Sequence, residues 1–501
     1  MHRFCAVLLV GSLALAVPQA EANTKESDKS IAVMTRNLYL GADVGVALNL
    51  LPDFPAAAQF MWDQMKSTDF ERRAEKLAQE SSLLRPDVIA IQEATTWSCK
   101  KNWFAKKKVI FDFLEIFINA TKESGVGYSL VTNGADSTKN SGFQIPALPN
   151  LTTVKDPSLF QPLFGQPEAA CGFTIADALL VRDDLDVEVI QLGNSEFKDY
   201  YSVVPLAMVI YRGYTWADLK IRGQNVRFVA THLESLFADD GVPHSSLQGK
   251  QLVQDLASTR LPLIVMGDFN ADPRDPRSPF AANAGGQPVS NTSCKTQVEN
   301  PTKESALSDC NAYWTMVKAG FEDAGPDSSQ AKNFTWGAAA LLNGPDSLRV
   351  EAAKKLGNQY GFTDRLDYIF YKNGLNLARS QLVSETWPQG SSNWICKVNG
   401  LNETCLPSDH AGVFAILTFE VEGAVVRAEP PLPDNKLFPI PTPTIILFLI
   451  LSLILLLTIW LPYRLILKPL VFAPLGRIVR KVRVEKFEEN AVDTDKEKGS
   501  E

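Results

Sequence analysis

The stretch LPLIVMGDFNADP, residues 261–273, constrains the fold of this chain more than any other. Leu261, Leu263, Ile264, Val265 and Met266 are all apolar, so a strand here must lie in a core. The run then turns polar at once, and Asp268 and Asn270 stand at the mouth of an oily strand. Rigid strands that end on polar groups are where proteins hold binding and catalytic side chains. The same switch recurs along the chain. Ser30–Leu38 alternates and ends on Asn37, Asp87–Ile91 runs into Gln92 and Glu93, and Val226–Thr231 runs into His232. Late strands at Leu366–Tyr371 and Gly412–Val421 bring Asp367, Asp409 and His410 to similar places.

Between these strands the spacing predicts helices over 70–84, 104–122 and 246–257. Further strands are expected at Ala178–Arg182, Val187–Leu192 and Leu206–Tyr211. Residues 133–172 and 273–310, rich in Gly, Pro and Asn, read as long loops. Strands and helices are intermixed without an internal repeat, and the 45% apolar content is enough for one large α/β core.

The two ends have a different character. Phe4–Val17 with Ala20-Glu21-Ala22 behind it reads as a signal peptide over 1–22. The body of the chain, 23–423, is followed by a Pro-rich linker at 424–440 and an uncharged aliphatic segment at 441–463, long enough to span a bilayer. The tail, 464–501, carries seven basic residues and one acid in its first part, residues 464–486. Positive flanks stay inside, so the expected arrangement is a single-pass membrane protein with the body at the cell surface, in a periplasm or in an organelle lumen, and the tail in the cytoplasm. A lipid-anchor signal is the competing reading, disfavoured by the long charged tail.

In that setting the cysteines form disulfides. Six remain after the signal peptide, enough for up to three bridges in fifteen possible connectivities, of which pairing between sequence neighbours, Cys294–Cys310 and Cys396–Cys405, is the one expected. Asn119, Asn150, Asn291, Asn333 and Asn402 lie in glycosylation sequons. The domain without signal, span and tail holds 39 bases and 49 acids. Diffuse charge would not draw a polyanion to it, so any phosphate it handles needs a local positive centre.

Carboxylates, amides and two of the three mature-chain histidines gather at the strand ends. A hard divalent cation takes oxygen ligands, and magnesium uses one or two carboxylates plus substrate phosphate. Phosphoester hydrolysis then needs an activated water, charge neutralisation and a proton for the leaving oxygen. In chain order, TRNLYLG, DVIAIQE, ATHLES, MGDFNADP, RLDYIF and SDHAGV resemble the endonuclease/exonuclease/phosphatase superfamily, the deoxyribonuclease I-like and sphingomyelinase-like phosphoesterases, here in a membrane-anchored form. The resemblance runs from about residue 31 to 419. It implies a four-layer α/β sandwich of two mixed sheets with flanking helices, to which the apolar segment at 441–463 adds a C-terminal transmembrane helix. It also implies roles. Glu93, Asn37 and Asp409 would hold the metal, magnesium or another divalent cation such as manganese or calcium. Asp268 and Asn270 would orient the water and the phosphate. His410 would act as base with Asp367 holding its ring, His232 would contact phosphate or protonate the leaving group, and Arg212 would touch phosphate. Asp177 falls where many members have Asn, which leaves its role open.

Three functions compete. One is a lipid phosphodiesterase acting on sphingomyelin-type head groups. WSCKKNWFAKKK, residues 97–108, mixes Trp97, Trp103 and Phe104 with five lysines, as an interface-seeking surface would, or as a solvated helix start would. The others are an extracytoplasmic nuclease on DNA or RNA, and a catalytically silent binding module on the same fold. Nothing in the sequence implies a protein partner.

Overall fold

The computed structural model describes residues 29–159, 167–204, 208–238, 242–274, 310–337, 355, 357–358, 360–387, 395–398, 401–404, 406–420 and 429–436. The chain divides into two units, Met1–Asn435 and Lys436–Glu501, and every element below belongs to the first. The signal peptide, the expected span at 441–463 and the tail lie outside the described residues. Among the described residues no helix is long and apolar enough to cross a membrane.

Two mixed sheets carry the fold. The first contains β1 (Ser30–Asn37), β2 (Val88–Lys100) and β3 (Glu168–Arg182). The second contains β4 (Val187–Val204), β5 (Met208–Ile221), β6 (Gln224–His232), β7 (Leu263–Asp268) and β8 (Asp367–Lys372). β9 (Leu375–Leu382) and β10 (Val413–Phe419) return to the first sheet, whose order is β9-β10-β1-β2-β3 with short strands beyond. The second runs β4-β5-β6-β7-β8. Only β1 with β2 and β6 with β7 are parallel among these neighbours. Parallel neighbours need crossovers. The first passes through α1 (Val44–Asn49), α2 (Phe54–Ser67) and α3 (Phe70–Leu84). α4 (Phe113–Glu123) follows β2, α5 (His244–Leu256) makes the second crossover, and α6 (Ala312–Lys318) precedes β8.

The five apolar residues in β7 and just before it now have a reason. Successive strand side chains point to opposite faces. Ile264 and Met266 face inward, where they meet Val33 of β1 and Val88 and Ala90 of β2 in a core between the sheets. Leu263 and Val265 face outward, against Leu252 and Leu256 of α5 and Met316 of α6. The outer face of the first sheet, with Met34, Ile89 and Ile91, packs on Trp62, Leu77 and Phe117 of α2, α3 and α4. The layers are helix, sheet, sheet, helix. Gly267 is the one place in β7 without a side chain, because a Cβ there would fall 2.0 Å from the carbonyl oxygen of Thr231 on β6.

Several elements differ from expectation. The helix expected over 104–122 begins at Phe113, where Asp112 caps it by accepting from the amides of Leu114 and Glu115. Lys108–Asp112, with Val109, Ile110 and Phe111, instead pairs back on β2 as a hairpin strand. Trp97, expected on a surface, is 2% exposed, since it lies on the inward side of that hairpin against Trp62. α2 was not anticipated; Asp53 caps it with Pro55 in its first turn. The loop at 133–172 contains short strands that edge β3. Cys99 and Cys171, the two left over by neighbour pairing, form a disulfide between β2 and β3. Cys310 is also disulfide-bonded, and its expected partner Cys294 lies outside the described residues, as does Cys405. Asn333 is buried and donates to the Asp327 carbonyl, so that sequon cannot take a glycan in the folded chain.

Candidate active site

The two parallel pairs end at one edge. Asn37 closes β1, His232 closes β6 and Asp268 closes β7, with His232 and Asp268 in register and Asp367 opposite Asp268 at the start of β8. The Asn37 amide spans the gap between the sheets. Its Nδ2 lies 3.3 Å from Glu93 Oε1, 3.2 Å from Asp268 Oδ2 and 3.4 Å from His410 Nε2. Its Oδ1 accepts from the Tyr39 amide.

Glu93 reaches this edge by a different route from the one expected. It does not end a strand. β2 continues to Lys100, and Glu93 sits on an irregularity between Ile91 and Ala94 with φ of 57°. A bulge re-aims a side chain that a regular strand would point into a core. The Glu93 carboxylate is half-buried and its Oε2 accepts from the Leu40 amide at 2.5 Å. Arg73 of α3 fixes that turn by donating to the carbonyls of Leu38, Tyr39 and Pro407.

The two histidines differ in state. Arg212 Nη1 lies 3.3 Å from His232 Nδ1, and a guanidinium can only donate. Nδ1 therefore accepts, the proton is on Nε2, and Nε2 lies 3.5 Å from Asp268 Oδ2. Burial, then Arg212 and His410, holds His232 well below the ordinary imidazole range. His410 is the opposite case. Burial pulls it down, but Asp367, Asp409 and Asp268 outweigh burial and push it up to about 10. Its Nδ1 is 2.9 Å from Asp367 Oδ2, and its Nε2 is 3.6 Å from Asp268 Oδ2 and 3.9 Å from Asp409 Oδ1.

The carboxylates are crowded. Burial pushes Asp268 up to about 7 and Asp409 up to about 6. Asp367 Oδ1 is buried without a hydrogen-bond partner. Ligand atoms of Asp268, Asp367 and His410 lie within 4.8 Å of one another. An orphaned carboxylate oxygen among acids that resist ionisation fits a divalent cation, which would relieve both. That buried trio was not named as the ligand set in the sequence, where Glu93, Asn37 and Asp409 were. Asp268 touches both groups, through Asn37 on one side and His410 on the other.

All nine residues expected at the site are at or beside this edge. Asn270 takes a left-handed φ of 46° and donates to the Leu233 carbonyl, while its amide holds Asp268 Oδ1. Arg212 is held by Glu234 at 3.2 Å. Sequence reasoning missed the supporting groups. Trp336 donates to Asp409 Oδ2, Thr335 accepts from the amide of Asp367, and Asn140 donates to Asp177. Thr335 completes an expected sequon with Trp336 just after it, and Asn140 sits in an expected loop, so none of them carried a strand-end signal. Arg365 is buried and donates to the Asp367 carbonyl.

Residues 178–410 match the family model described as Endonuclease/Exonuclease/phosphatase family. The matched stretch contains Arg212, His232, Asp268, Asn270, Asp367, Asp409 and His410; Asn37 and Glu93 precede it. This part of the chain resembles that family. No curated protein matches it. Among solved structures it is similar to an endonuclease/exonuclease/phosphatase family protein from Bacteroides thetaiotaomicron, at 15% identity and TM-score 0.40, covering 78% of this chain and 98% of that one. It is also similar to a mannosyl-6-phosphatase from Bacteroides thetaiotaomicron VPI-5482, at 16% identity and TM-score 0.40, covering 78% and 100%. A truncated Caenorhabditis elegans TDP2 is similar at 14% identity and TM-score 0.35, covering 78% and 97%.

Proposed function

We propose that this chain is a divalent-metal-dependent phosphodiesterase held on a membrane with its catalytic domain outside the cytoplasm. The observation that carries the chemistry is the convergence of Glu93, Asp268, Asp367 and Asp409 with His232 and His410 at one sheet edge. Glu93 and Asp268, bridged by Asn37, would hold the cation, with Asp409 on the same side. The cation, magnesium, manganese or calcium, would supply positive charge to the phosphoryl oxygens and the carboxylates.

The chain's own residues do the rest. Asp367 fixes the His410 ring through Nδ1, which leaves Nε2 facing the cluster; Nε2 takes the proton of the attacking water only when deprotonated, a form that neutralisation of Asp268 and Asp409 by the cation would favour. Asp268 and Asn270 orient that water and the scissile phosphate. His232, neutral and carrying its proton on Nε2, donates a hydrogen bond to a phosphoryl or leaving oxygen. Arg212 stabilises that tautomer and adds charge to the phosphate side.

A lipid head group is the substrate we favour, since the expected span holds the site near a bilayer. The purified chain, assayed with each divalent cation against sphingomyelin, plasmid DNA and a chromogenic phosphodiester, tests this. Turnover of the phosphodiester and the lipid is expected; turnover of DNA alone would make it a nuclease, and turnover of none would favour a silent binding module.

A further inference from the structure

β2 does not stop at the catalytic edge. From Glu93 it runs on through Trp97 and Cys99 to Lys100, turns, and returns as Lys108–Asp112. Seven residues of strand beyond Glu93 extend about 23 Å. The turn carries Trp103, 53% exposed, and Phe104, 98% exposed. Lys100, Lys101, Lys106, Lys107 and Lys108 surround them, and no acid occurs between Trp97 and Phe111. Lys100 Nζ lies 5.4 Å from the Trp103 ring centre, and the Cys99–Cys171 bridge ties the neck of the hairpin to β3.

An apolar cleft opens at the hairpin's base, between α1 and α2 on one side and Trp97, Phe143 and Phe173 on the other. Thr152 is the one hydroxyl-bearing side chain in its lining. Four chain segments lead from the site into it. Leu40, which binds Glu93, precedes the lining residue Val44; Asn140, which binds Asp177, precedes Phe143. Arg212, beside His232, follows Ile210, and Glu93 itself precedes Trp97. Each step is two to four residues, at most about 14 Å of chain. Of the ten large apolar side chains exposed among the described residues, six (Val46, Leu50, Trp103, Phe104, Val109 and Leu151) lie on the hairpin or on segments that line this cleft.

We propose that this corner of the molecule seats on an anionic lipid surface. Trp103 and Phe104 enter the interface, the lysines face the head groups, and the cleft receives the hydrocarbon part of the phosphoester that the site acts on. The last part rests on the phosphodiesterase reading; the seating does not. Aromatics among lysines also suit single-stranded nucleic acid. The aliphatic surroundings and a cleft with a single hydroxyl favour lipid, because they offer base edges almost nothing to bond.

The test uses the full chain in nanodiscs of neutral lipid with or without brominated phosphatidylglycerol. The fluorescence difference between wild type and Trp103→Phe should be quenched by the brominated anionic lipid, and replacing Lys106, Lys107 and Lys108 by Glu should abolish that quenching. An unquenched difference, or one that responds only to an oligothymidylate, would overturn the seating. In mixed micelles, Ala57→Phe, which fills the cleft, should raise KM for a long-chain phosphodiester about tenfold and leave a short soluble one within about twofold. An equal effect on both, or on neither, would overturn the cleft assignment. Absence of turnover on both substrates would contradict the phosphodiesterase reading, and with it the cleft's role, while the fluorescence result still decides the seating.

Discussion

Asp268 is the residue on which the edge turns, because Asn37, His232 and His410 all approach its Oδ2. Burial works against its charge, so packing alone does not favour a carboxylate there. Asp268→Asn should therefore cut kcat by roughly a hundredfold or more while leaving the melting temperature unchanged or raised; a variant that fails to fold would make the residue structural. Asp177 supports a pH prediction. Burial first, opposed by Arg212 and Asn140 and reinforced by Glu93, raises it to about 7. An acid raised above its unfolded value of about 3.9 contributes stability that is complete below that value and lost as pH rises through 7. Asp177→Asn should gain on wild type between pH 4 and pH 8 by up to a few kcal/mol. A melting-temperature difference that does not change with pH would contradict this. The residues proposed for catalysis were legible because they sit in short polar motifs after apolar runs. Their supports were not: Trp336, Thr335, Asn140 and Arg73 reach the edge from segments distant in sequence, and only the fold brings them there.

At the scale of elements, β7 shows how one strand serves two cores and a site at once. Ile264→Ala, which opens a void between the sheets, should cost about 2–5 kcal/mol in a denaturant titration. A loss below 1 kcal/mol would mean that the sheets are not packed there. The Cys99–Cys171 bridge closes a loop of 72 residues. Replacing both cysteines by Ser should lower stability by about 2–4 kcal/mol, and an unchanged melting temperature would exclude a stabilising role. Apolar periodicity revealed α3, α5 and the central strands. It failed where the period is ambiguous: residues 104–112 hold apolar and basic residues that suit a helix, yet tertiary pairing with β2 makes Lys108–Asp112 a strand. The bulge at Glu93 was equally invisible, because a Gln-Glu pair after an apolar run reads as a strand end whether or not the strand continues.

At the largest scale, the described part of the first unit is a sandwich whose two sheets each contribute a parallel pair ending at one edge, and acids collect at that edge. In an acidic domain a bound divalent cation would offset the repulsion in such a cluster. Phosphodiester turnover before and after chelation, followed by readdition of magnesium and repeated on Glu93→Gln, addresses this most directly. The account predicts activity that chelation abolishes and magnesium restores in the wild type, with Glu93→Gln requiring far more metal for a much smaller rate. Turnover that survives chelation, or a Glu93→Gln variant with wild-type rate and metal dependence, would contradict it.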